Sequence, residues 1–167
     1  KAESIATVHA ALDAGINFFD TAEGYRDEED SETVLGQALL GRRDKAVIAT
    51  KASGAHLAGE ALRQACEASL QRLQTDTIDL YQLHVPDPEV PIADTLGALN
   101  DLVRAGNVRE IGCSNFSVEQ LRAAEAAPKT GARFVSVQNE YSLLHRAPER
   151  DGVLAECERL GLAFLPY

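Results

Sequence analysis

Short apolar runs and amphipathic segments alternate along this chain, and that alternation limits it to very few folds. The apolar runs are rich in β-branched and aromatic residues and too brief for helices, which predicts strands at INFF, AVIATK, TIDLYQLH, VREIGCSN, FVSVQNE and LAFLPY. Helical spacing of apolar residues recurs in ESIATVHAALDAG, SETVLGQALL, GEALRQACEASLQRL, PIADTLGALNDLVRAG, SVEQLRAAEAA and GVLAECERLG. Gly15 reads as a helix stop, while Ser31, Pro91 and Ser117 read as starts, with Ser117-x-x-Gln120 in capping-box form. Six helices alternating with six strands predict a parallel sheet covered by helices.

The length decides how much of such a sheet closes. A complete (β/α)8 barrel takes about 250 residues, and this chain has 167. The predicted fold is therefore α/β, a partial TIM-type (β/α)8 barrel of six parallel strands forming one domain over residues 1–167. Against eight units, the first strand is missing, as are the seventh helix, eighth strand and last helix beyond Tyr167. An open sheet keeps two unpaired edges, which predicts self-association through them. Rossmann, P-loop and nucleophile-elbow frameworks are disfavoured, since no G-x-G-x-x-G, P-loop or G-x-S-x-G occurs in the sequence.

Composition narrows the partners. With 45% hydrophobic and 25% charged residues and no apolar run long enough to cross a bilayer, the chain reads as a soluble protein that does not enter membranes. A formal charge of −10 argues against nucleic acid, whose phosphates call for a basic surface. Cys66 and Cys157 fall in predicted helices and Cys113 in a predicted strand, without a C-x-x-C pair. They read as reduced, buried thiols of a cytoplasmic protein.

Four polar residues mark the strand ends. Side chains alternate faces along a strand, so Ile16, Phe18 and Asp20 share one face, as do Val47, Ala49 and Lys51, and Ile78, Leu80, Gln82 and His84. A polar residue thus tops each inward column at the C-terminal end, where β/α barrels keep their chemistry. Taken singly, Asp20 also fits a loop cap, Tyr25 a surface aromatic and His84 a core hydrogen-bonding residue. Lys51 is harder to place without function, because buried lysines need a partner. As a set they offer acid–base chemistry: Tyr25 a phenol that can give up a proton, Lys51 a positive charge that can stabilise the phenolate, Asp20 an anchor for that charge, and His84 a hydrogen-bond donor.

The stretches GINFFDTAEGY, VIATK, IDLYQLH, VREIGCSNF and VQNEYS, in this order, resemble the signature segments of the aldo-keto reductases over nearly the whole chain. By that resemblance Asp20, Tyr25, Lys51 and His84 correspond to the family's catalytic tetrad. Ser114, Asn115 and Gln138 correspond to the residues that hold the nicotinamide carboxamide, and Tyr167 to the tyrosine that stacks on the nicotinamide ring. The resemblance implies a small carbonyl substrate and NADP(H) in preference to NAD(H), with no metal.

Other readings stay open at this point. Lys51 could be the amine nucleophile of a Schiff-base aldolase on the same fold. The chain could also be a non-catalytic, cofactor-sensing or degenerate member of the same family. A metal-dependent hydrolase is disfavoured, with no clustered ligand set in the sequence. His9, His56 and His145 are expected on helix surfaces or loops. Glu140 and Tyr141 are candidates for the substrate mouth, and Asp79 and Arg109 for an ion pair at the barrel floor.

Overall fold

Parallel strands that alternate with helices bury both faces, and the inner and outer sets of side chains separate by parity. A computed structural model describes residues 1–26, 29–53, 57, 59–127 and 131–167. The elements run α1 (Ala2–Asp13), β1 (Phe18–Asp20), α2 (Ser31–Ala38), β2 (Val47–Ala52), α3 (Gly59–Leu73), β3 (Ile78–Leu83) and α4 (Ile92–Arg104). They continue as β4 (Val108–Ser114), α5 (Val118–Ala126), β5 (Phe134–Asn139), α6 (Ala147–Arg150), α7 (Val153–Leu160) and β6 (Ala163–Pro166). The six strands form one parallel sheet in the order β1-β2-β3-β4-β5-β6, a curled part of a β/α barrel.

All six expected strands are present, and so are the six expected helices. The sequence reading lacked the four-residue α6, which carries Pro148 in its first turn, and a 3-10 turn over Arg43–Lys45. Local chemistry sets the helix ends. Asp30 rather than Ser31 caps α2, its carboxylate accepting from the Thr33 backbone N–H at 2.9 Å. At α5 both arms of the capping box form between Ser117 and Gln120. Pro91 sits at the N-cap of α4, just ahead of the first turn.

Register carries the inward columns across the sheet. Asp20 pairs with Ala49, Lys51 with Gln82, Gln82 with Gly112, Gly112 with Ser136, and Ser114 with Gln138. Cα partners in a parallel ladder point the same way, so these residues share the inner face. The outer face holds Ile48, Tyr81, Leu83, Cys113 and Val137, all essentially buried, and helix residues such as Leu62, Leu73, Leu99 and Leu121 close over it. An irregularity between Ile111 and Gly112 gives β5 one extra residue, which sets Phe134 opposite Ile111 while Ser136 meets Gly112. A bulge of this kind re-aims a strand without ending its pairing.

Two close approaches fix the packing. A Cβ on Gly112 would stand 2.5 Å from Ser136 Oγ, and one on Gly36 would stand 2.6 Å from the Arg72 carbonyl oxygen of α3. Near the N-terminal ends of the strands, Arg109 Nε lies 3.4 Å from Asp79 Oδ1, so the expected pair is present, on the outer face of the sheet by parity. Asp79 is bound more closely by Arg43, at 2.6 Å, and also accepts from the Ile48 backbone N–H. Behind the sheet, Glu32 is fully buried and is met by Arg72 at 2.6 Å and by the Thr50 hydroxyl at 2.5 Å.

Candidate active site

Each candidate catalytic side chain enters from a different strand end. Lys51, 1% exposed, ends the inward column of β2; Asp20 ends β1 beside it; His84 follows β3, its backbone N–H donating to the Ala52 carbonyl at 2.9 Å. The Lys51 ammonium donates to Asp20 Oδ2 at 2.6 Å and to the Thr21 carbonyl at 2.8 Å. Gln82, in register with Lys51, directs its amide nitrogen at Asp20 Oδ1 at 3.4 Å. Two acceptors therefore offset the cost of burying the charge.

Tyr25 stands over this pair, on the loop after β1. The ammonium lies 5.1 Å from its ring centroid, and the His84 ring meets it edge to face at 5.6 Å. Among the described residues, no hydrogen bond joins the Tyr25 hydroxyl to Lys51 or His84. Tyr25 as a residue is 44% exposed. Burial pushes the His84 imidazole below its ordinary value, and the Lys51 charge pushes it further; Asp20 and Glu23 act in the opposite direction.

The second group lies on the same rim, two strands along. Ser114 Oγ donates to the Gln138 carbonyl at 2.6 Å, and the Asn115 side-chain amide donates to the His84 carbonyl at 2.9 Å and to Ser114 Oγ at 3.1 Å. Asn115 has a left-handed backbone (φ 62°), a conformation Asn tolerates better than most residues and one that turns its amide back over the rim. The Tyr167 hydroxyl donates to Asn115 Oδ1 at 2.5 Å, and the Tyr167 residue is 57% exposed. Gln138 is buried on the inner face opposite Ser114. All eight candidate residues thus lie at one end of the sheet, linked through His84 and Asn115.

Several participants escaped the sequence reading. Ser53 Oγ lies 2.8 Å from His84 Nδ1, and the Ser53 backbone N–H donates to Glu23 Oε1 at 2.6 Å. The signal was present, because Ser53 continues the Ala49, Lys51 column by parity. Tyr141 is turned away from the mouth: its hydroxyl donates to Glu149, Arg146 covers its ring at 5.1 Å, and Phe164, on the outer face of β6, meets it edge-on. Glu140 pairs with His145 at 3.6 Å, and His9 on α1 contacts the Ala38 carbonyl. His56 lies outside the described residues.

The three cysteines are buried and unpaired, Cys66 and Cys157 in helices and Cys113 in a strand. Among the described residues, no group of three or more His, Cys, Asp or Glu side chains could hold a metal ion. No described helix is long and apolar enough to cross a membrane.

Comparison with known proteins agrees with this curled parallel sheet of β/α units. The profile of the aldo/keto reductase family matches residues 1–167. The chain belongs to that family. It is similar to the aldo-keto reductase YhdN of Bacillus subtilis (strain 168), 42% identical over 156 residues covering 87% of this chain and 46% of YhdN. An aldo-keto reductase of Fusarium vanettenii is 36% identical, covering 99% of this chain and 54% of its own length. The chain spans about half the length of the curated relatives it matches. Among solved structures, an aldo/keto reductase from Klebsiella pneumoniae in complex with NADP and acetate superposes with a TM-score of 0.93 at 36% identity, covering 99% of this chain and 57% of that one. The thermostable aldo-keto reductase Tm1743, in complex with epalrestat, gives 0.92 at 35% identity, covering 99% and 60%.

Proposed function

We propose that this chain carries the acid–base wall and the amide-binding rim of an NAD(P)H-dependent carbonyl reductase that converts aldehydes or ketones to alcohols. The observation that carries this reading is the convergence on Tyr25, whose ring is flanked by the Lys51 ammonium and the His84 imidazole. Reduction leaves negative charge on the carbonyl oxygen, and a proton must arrive as it develops. Tyr25 supplies that proton. Lys51, held by Asp20, places a fixed positive charge beside the phenol, and His84 orients the carbonyl oxygen by a hydrogen bond.

The rim residues have the chemistry an amide ligand requires. Asn115 Oδ1 already accepts from one hydroxyl and can accept from an amide N–H instead, while Ser114 and Gln138 offer both donors and acceptors. Tyr167 presents an exposed aromatic face on which a flat ring can stack. When bound, a nicotinamide cofactor supplies the hydride. NADP(H) is the preferred form on this reading, supported by the cofactor of the Klebsiella reductase.

The decisive test is Tyr25→Phe in the complete protein. It removes one oxygen and leaves the ring contacts, so turnover falls on the order of 10²-fold while the fold and NADPH binding persist. Unchanged turnover refutes the assignment. NADPH binding without reduction of any aldehyde or ketone by the unmutated protein favours a cofactor-sensing role. A Schiff-base aldolase is the weaker reading, because Lys51 Nζ donates to both Asp20 and Thr21, and a Schiff-base nitrogen, with at most one N–H, could keep only one of these bonds. Borohydride trapping of a lysine adduct would revive it.

A further inference from the structure

The His84 backbone is pinned from both sides. Its N–H donates to the Ala52 carbonyl and its carbonyl accepts from the Asn115 amide, each at 2.9 Å. Rotation of the ring is the freedom that remains. Tyr25 limits it on one edge, and Ser53 meets it on another, 2.8 Å from Nδ1. Ser53 itself is fixed, since its backbone N–H is held by the Glu23 carboxylate.

A neutral imidazole has one protonated and one bare nitrogen, and the partner of each decides which is which. His84 is biased toward the neutral form by burial and by Lys51. A main-chain carbonyl at Nδ1 could only accept, forcing the proton onto Nδ1 and leaving Nε2 bare. Such a ring could not donate from Nε2 to a carbonyl oxygen. A hydroxyl is different, because it can donate to a bare Nδ1 and so leave the proton on Nε2.

We infer that Ser53 is a positioning residue whose hydroxyl donates to His84 Nδ1 and holds the imidazole in the tautomer with its proton on Nε2, the nitrogen on the ring edge away from Ser53. The link runs Glu23 to Ser53 to His84, so the loop after β1 fixes a ring that follows β3. Both the assigned tautomer and its catalytic consequence rest on the carbonyl-reductase reading, since a hydroxyl can also accept from a protonated Nδ1.

The test uses long-range 1H–15N spectra of the complete labelled protein at neutral pH, with His84 identified by its loss in His84→Asn. The expected wild-type spectrum shows a bare Nδ1 and a protonated Nε2. Ser53→Thr keeps this pattern, because it keeps the hydroxyl. Ser53→Ala gives a mixture of tautomers, and its turnover falls by about three- to tenfold, the effect of one neutral hydrogen bond, with NADPH affinity unchanged and Ser53→Thr restoring the rate. A protonated Nδ1 in the wild type overturns the inference, and so does a Ser53→Ala protein with the wild-type tautomer and rate. The spectra do not require turnover. The expected tautomer in a protein that reduces no carbonyl leaves the inference standing and removes the reductase reading; a protonated Nδ1 in an active reductase does the reverse.

Discussion

Replacing Asp20 with Ala tests the energetics of the site directly. The change leaves the Lys51 ammonium, 1% exposed, with the Thr21 carbonyl as its remaining acceptor among the described residues. Breaking a fully buried ion pair from one side costs about 3–5 kcal/mol, because a charge is left without its partner. Asp20 is itself 31% exposed, so water reaches the gap and the figure drops to about 2–3 kcal/mol. With a urea m-value of about 2 kcal/mol/M, the unfolding midpoint falls by about 1 M. Adding Lys51→Met removes the stranded charge and keeps most of the volume, so the double variant returns to within about 1 kcal/mol of the wild type. The assay is urea denaturation followed by circular dichroism on all four members of the cycle. The reasoning is refuted by an Asp20→Ala protein as stable as the wild type, or by a double variant no more stable than Asp20→Ala alone.

Two further perturbations probe the scaffold. Gly36→Ala normally strengthens a helix by about 1 kcal/mol, but here the added methyl would lie 2.6 Å from main-chain atoms of Arg72 and Leu73, so α2 and α3 must separate. The variant should lose about 1–3 kcal/mol, and a higher urea midpoint would show that the helices yield freely. Hydrogen bonds from Arg159 and Arg122 hold the Glu156 carboxyl down to about 2, against an ordinary value of 4.5. A depressed folded value means stability that is fully present above the ordinary value and lost as pH falls toward about 2. Glu156→Gln should therefore be less stable than the wild type near neutral pH and lose less on acidification, and parallel acid denaturation curves would rule out that linkage.

The elements were legible because two periodicities dominate the chain. Parity along INFFD, AVIATK and IDLYQLH placed Asp20, Lys51 and His84 on one face before any coordinates, and the capping box located the start of α5. What stayed hidden depends on contacts between distant elements. Glu32 sits in a helix pattern that reads as exposed, yet it is buried because Thr50 and Arg72 arrive from β2 and α3. Arg43 takes the shorter bond to Asp79 from a 3-10 turn that no periodicity announces. Tyr141 follows the inward Gln138 closely in sequence, but the chain has left the strand by then, and Glu149 and Phe164 draw it outward. Ser53 lies one residue past the end of β2, where strand alternation alone does not announce its contact with His84 on the next strand end.

Because each strand pairs only with its neighbours in sequence, the mouth is a series of links of nearly equal stride. Asp20 to Lys51, Ser53 to His84, and His84 to Asn115 are each 31 residues apart. The order of the walls in space is the order in which a ribosome makes them, and each added β/α unit can close the next link on a surface already formed. A growing chain can complete the wall containing Lys51 and His84 before Gln138 has been synthesised.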